Sequence, residues 1–155
     1  MNNPEYQYCR NIIDRLKQSS ALSQSILSEP FDAQDQVDQL TLAADQYDLA
    51  IAVKPEAINV PYQGADTPRP GLYDVTAAIL IMTTTQTGGI KAGERIAAST
   101  AAVLAALQGW NPDESELETN LPHVDSINTL LTDDVEGLDN LIGRAVFLTR
   151  RISIK

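Results

Sequence analysis

Leu72-Tyr73-Asp74-Val75-Thr76-Ala77-Ala78-Ile79-Leu80-Ile81-Met82-Thr83-Thr84-Thr85 is the stretch that decides the fold. Tyr73, Val75, Ala77, Ile79 and Ile81 fall on alternate positions, the period of a β-strand. Asp74 and Thr76 take the other face at its start, but from Ala77 to Met82 every side chain is apolar. A strand apolar on both faces needs a layer on each side of its sheet. The same run is far too short to cross a bilayer as a helix, which takes ~18 apolar residues.

The neighbours follow from this strand. Upstream, Asp48 to Lys54 (DLAIAVK) predicts a second strand closed by Pro55, with Ile58, Asn59 and Val60 extending it after a kink. Pro61 to Gly71 is too rich in Pro and Gly for regular structure and predicts a long loop. Downstream, Gly88-Gly89 ends the strand and Ile90 to Gln108 predicts a helix. Ile96, Thr100, Val103, Leu104 and Leu107 form its stripe, and alanines fill the remaining faces. Gly109 is its expected C-terminal cap, and Trp110 anchors that end.

At the N-terminus, Asn3 is a good cap, Pro4 suits the first turn and Glu5 complements the helix dipole. Cys9, Ile12, Ile13 and Leu16 then give a helical apolar face, on which Cys9 reads as a core thiol. Ser19 to Tyr47 carries no decisive period. Ile127 to Thr132 predicts a strand, Asp133 to Gly137 a turn, and Gly143 to Ile154 a final strand. In that strand Ala145, Phe147 and Thr149 oppose Arg144, Val146 and Leu148. The expected fold class is α+β: an antiparallel-rich sheet of about four strands with two main helices packed on it, in the order α-β-β-α-β-β. The 155 residues form one domain: an N-terminal helix over 1–18, a connecting region over 19–47 and a sheet-and-helix core over 48–155.

Charge and composition bound the function. The net charge is −10, opposite in sign to a free-standing nucleic-acid binder or a membrane-surface protein. Met1 to Glu5 has neither the basic nor the apolar segment of a signal peptide, so a reducing cytoplasm is the expected setting. A lone cysteine, Cys9, allows no internal disulfide and no multi-cysteine metal site. A lone histidine, His123, leaves a hydrolytic triad one candidate base, and no G-x-S-x-G nucleophile setting accompanies it. It is expected on an exposed loop. Gly88 to Gly93 lies between strand and helix, but Glu94 and Arg95 stand where a phosphate loop needs Lys and Ser or Thr. Asp133, Asp134 and Glu136 fail as a calcium loop because Arg144 occupies the twelfth position. No catalytic residue, cofactor or metal is expected.

The charge is also segregated. Asn111 to Asn140 holds nine acids and no base, and Leu141 to Lys155 holds four bases and no acid. Asp113, Glu114, Glu116, Glu118, Asp133, Asp134 and Glu136 on one side, and Arg144, Arg150 and Arg151 on the other, are therefore the candidate contact residues. Adjacent blocks of opposite sign suit head-to-tail contacts between identical subunits.

The layout from the apolar strand through the alanine-rich helix, its exit Leu107-Gln108-Gly109-Trp110-Asn111-Pro112, the Asp134 to Leu138 turn and the closing strand with Phe147 resembles a known family. It is similar to the tail terminator and minor tail proteins of long-tailed bacteriophages and prophages. The resemblance covers Asp48 to Ile154 and implies a non-enzymatic role. Such a protein forms a ring, typically a hexamer, on the head-proximal end of the tail tube, stops its polymerisation and presents a surface for head joining. It implies as partners further copies of the chain, the tail tube protein and the head connector protein. It also implies a virion location, after assembly in the bacterial cytoplasm. Genome DNA passes through the lumen unbound, and either acidic segment could line that lumen or a subunit contact. Two alternatives stay open: another head-tail connector or tail-tube component, or a ligand-binding or enzyme domain using the Gly88–Gly93 loop.

Overall fold

The computed structural model describes residues 4–31, 42, 44, 49–59, 72–84, 89–112, 121–130 and 141–153. The elements run α1 (Pro4–Lys17), β1 (Ala50–Asn59), β2 (Leu72–Thr84), α2 (Gly89–Leu107), β3 (His123–Leu130) and β4 (Leu141–Ser153). The four strands form one antiparallel sheet in the order β1-β2-β4-β3. The fold is thus the expected α+β class with the expected element order.

β2 and β4 occupy the centre because they carry the long apolar runs. Their pairing extends over 13 residues each, from Leu72 opposite Ser153 to Thr84 opposite Leu141. On one face Val75, Ala77, Ile79 and Ile81 join Ile51, Val53, Val146 and Leu148. Both helices cover this face, α1 through Ile12, Ile13 and Leu16 and α2 through Val103 and Leu107. Arg15 Nε donates to the Ala106 carbonyl at 2.7 Å and so ties α1 to α2. The other face is narrower in its side chains: Ala50, Ala52, Ala78 and Ala145 lie there with Leu80 and Met82. Those alanines let Ala44, Leu27 and Phe31 come close over the strands. Ala77 to Met82 is therefore apolar throughout because both faces are covered.

Some boundaries refine expectation and others depart from it. β1 continues past Pro55 to Asn59, as the expected extension requires, and the expected kink is a bulge between Pro55 and Ala57. The bulge falls where proline has no N–H to give, on an outer strand that tolerates it. β3 begins at His123, four residues before the expected start, and ends at Leu130. His123 is therefore on a strand and not on a loop. Gly89 to Gly93 forms the opening turns of α2, so most of the expected glycine loop is helix; Gly88 lies outside the described residues. The expected loop over 61–71 and turn over 133–137 also lie outside them.

Gly109 closes α2 with φ of 67°, a conformation that a Cβ disfavours. An added Cβ would meet nothing within 4 Å, so the whole penalty of Gly109→Ala is backbone strain. The expected loss is about 1 kcal/mol, read as a lower urea midpoint, and Gly109→Asn should lose less. Trp110 packs against the helix-side core, as its position after the cap suggests.

Tyr8 and Cys9 sit in that core, 3% and 0% exposed. Burial pushes the Cys9 thiol up to about 12 and the Tyr8 hydroxyl up further, the nearby Arg150 charge partly opposing it at Tyr8. Both groups ionise more readily in the unfolded chain. Their contribution is complete below the ordinary thiol value of 9.0 and is lost as pH rises through the folded value. The urea midpoint should hold from neutrality to the ordinary thiol value of 9.0 and fall as pH rises from there toward the folded value, and Cys9→Ala should flatten part of the fall.

Candidate functional site

The acidic candidates Asp113, Glu114, Glu116, Glu118, Asp133, Asp134 and Glu136 lie outside the described residues. The arginines are placed, and strand alternation separates them. Arg144 and Arg150 share the helix-covered face of β4, whereas Arg151 points to the opposite face. Arg144 Nη1 donates to Thr100 Oγ1 of α2 at 3.4 Å. Arg150 is 6% exposed. Arg151 donates through Nε to Asp74 Oδ1 at 3.0 Å and through Nη2 to Oδ2 at 3.4 Å. That pairing raises the pKa of the guanidinium. The three arginines therefore do not form one basic surface.

Two other features emerge, neither of them evident in the sequence. The first is the outer edge of β3, with which no other strand pairs among the described residues. On the β1 side the edge is closed: Leu27 N donates to Ile51 O, Ile51 N to Ser25 O and Phe31 N to Val53 O, at 2.7–2.8 Å. On the β3 side, residues 123–129 are all exposed. Val124 and Ile127 are 39% and 40% exposed and face the helix side. Between β3 and α2 runs a shallow groove of about 510 Å³, lined by Leu104, Leu107, Pro122, Val124 and Leu148 with alanines and no charged side chain. Edge strands are ordinarily guarded by Lys, Pro or inward charge. β3 (HVDSINTL) has neither Lys nor Pro, and Asp125 is its single acid.

The second feature is a polar cleft of about 430 Å³ on the opposite face, where the alanine-covered layer gives way. All four strands contribute: Asn59, Asp74, Thr76, His123, Asp125, Thr149 and Arg151. A bulge between Val124 and Ser126 turns Asp125 inward over β4. Thr149 Oγ1 donates to Asp125 Oδ2, and Thr76 Oγ1 lies 2.8 Å from Thr149 Oγ1. His123 Nε2 is 3.2 Å from Asp125 Oδ1. The carboxylate thus stands between hydroxyl and imidazole. A nucleophile relay needs the imidazole in the middle, so this order orients groups but does not activate the threonine. Among the described residues no three His, Cys, Asp or Glu side chains gather to hold a metal ion. No described helix is long and apolar enough to cross a membrane.

No family model matches the chain, and no curated protein sequence matches it. Among solved structures, a crystal structure of a protein from Akkermansia muciniphila is similar at 13% identity and a TM-score of 0.32. That alignment covers 97% of this chain and 77% of the other.

Proposed function

We infer that the chain is a structural assembly protein of the phage tail terminator kind, acting as a ring of identical subunits on the head-proximal end of a tail tube. The observation that carries this reading is the uncharged groove beside β3, along which Val124 and Ile127 stand half-exposed. An apolar strip of this kind on the outermost described strand is a surface suited to being covered. The likeness of the helix exit and closing strand to tail terminators adds a context in which the cover is another subunit. Arrangement of the polar cleft around a central carboxylate, with no activated nucleophile, favours a non-enzymatic role. In this reading the ring meets the tail tube protein on one side and the head connector on the other. Genome DNA passes through without specific contact, and the protein resides in the virion.

Light scattering coupled to size exclusion, over rising protein concentration, tests the reading. The expected species is a closed oligomer near a hexamer. Val124→Lys with Ile127→Lys should shift it toward monomer by ~10-fold or more in apparent Kd, since a contact would cover the remaining 39% and 40% of two aliphatic side chains, about 1 kcal/mol each. A wild-type chain that stays monomeric at every concentration, or a double variant that assembles like wild type, overturns the β3 contact. An open-ended polymer would instead point to a tube component.

A further inference from the structure

The polar cleft has a chemistry that the assembly reading does not use. We propose that it is a binding site for a neutral polyhydroxylated small molecule of the saccharide class. This does not rest on the ring, because the cleft lies on the face opposite the groove.

Charge gives the first argument. Each ionised group in the cleft already faces a partner within it. Arg151 holds Asp74 through two hydrogen bonds, and Asp125 takes the Thr149 hydroxyl on one oxygen and faces His123 with the other. Arg151 offsets Asp74, and the Asp125 carboxylate is already engaged by the Thr149 hydroxyl and the His123 ring, so a strongly charged ligand would compete with these contacts in order to bind. A neutral ligand need break none.

Direction gives the second. Thr149 spends its proton on Asp125, so the bond between the two threonines must run from Thr76 to Thr149. Thr76 then presents only lone pairs to the cleft. The carboxylate beside His123 Nε2 engages that nitrogen, so Nδ1 is the ring nitrogen left for a ligand hydroxyl. Arg151 Nη1 and the Asn59 amide supply donors from the other end, having no partner among the described residues. Alternating acceptors and donors across four strands match hydroxyl groups, which do both.

Size and stiffness agree. A cleft of about 430 Å³ has room for a sugar ring. Its groups stand on paired strands and not on loop tips, so little order is lost on binding. No Phe, Tyr or Trp lines it among the described residues, so the affinity should be weak, in the roughly millimolar range.

The test is an amide NMR titration of the full chain with glycerol, methyl α-D-glucopyranoside and N-acetylglucosamine, and separately with inorganic phosphate and putrescine. The expected result is saturable shifts for at least one neutral polyol at residues 74–76, 123–125 and 149–151. Asp125→Asn and His123→Ala, both at exposed positions that leave the core intact, should weaken that binding about ten-fold or more. Three results each overturn the proposal: no saturable shift with any of the neutral probes, equal binding by both variants, or saturation by phosphate or putrescine in preference to the polyols. A monomeric protein that binds the polyol would defeat the ring and leave the cleft standing, and a ring that ignores all three would do the reverse.

Discussion

Ile79→Ala is expected to remove about 3–5 kcal/mol of stability, a large part of what a single domain of this size holds. Ile79 is fully buried at the middle of β2, where Val53 and Val146 flank it from the two neighbouring strands. It belongs to the cluster that joins the sheet to both helices. Strands on either side pin its backbone, so the space left by the lost carbons cannot collapse, and the cavity adds to the lost transfer energy. Urea unfolding should show a lower midpoint with an unchanged slope. Ile58→Ala, where the residue is 41% exposed near the end of β1, should change stability by less than about 1 kcal/mol. Equal effects at the two positions would contradict the layering described above.

Arg150→Glu should be comparably damaging, at about 3–5 kcal/mol, and the damage should be to folding. Sequence reasoning places Arg150 and Arg151 together as a basic contact whose reversal weakens a ring. Alternation along β4 sends them to opposite faces, and Arg150 is buried on the helix side close to Tyr8. A carboxylate there would be a buried charge of the wrong sign in a site arranged around a cation. Arg150→Met keeps most of the volume without a charge and should lose considerably less. At Arg151 the reversal sets two carboxylates against each other beside Asp74, where exposure to solvent softens the effect. Circular dichroism of each variant before any assembly assay separates these cases. If Arg150→Glu folds with wild-type stability, the buried placement is wrong.

Local pattern was enough for the elements that obey one period. α1 and α2 were legible from apolar residues at helical spacing, β2 and β4 from strand alternation or a continuous apolar run, and Gly109 announced the end of α2 through its need for a positive φ. β3 was not. The bulge at Asp125 places Val124 and Ile127, three apart in the sequence, on the same face of the sheet. No strand period shows that spacing, so the start at His123 was hidden. The continuation of β1 past Pro55 was legible in Ile58 and Asn59, and the kink expected there is a bulge that absorbs the proline.

The candidate site divides along the same line. Composition and charge order, which need no folding, gave the net charge of −10, the segregated acidic and basic blocks and the shortage of conventional catalytic residues. Linear charge blocks do not specify surfaces, because a strand alternates its side chains and so distributes neighbouring arginines between two faces. The polar cleft assembles Asn59, Asp74, Thr76, His123, Asp125, Thr149 and Arg151 from four strands, across more than ninety residues of sequence. Their association depends on antiparallel register, which sets Thr76 opposite Thr149 and Thr149 opposite His123. The sequence by itself determined the class of fold and its central strand, through the periodicity of apolar side chains. Only the tertiary structure decided which strands lie outermost and which polar groups meet, because strand order and register are fixed by contacts between segments far apart in the chain.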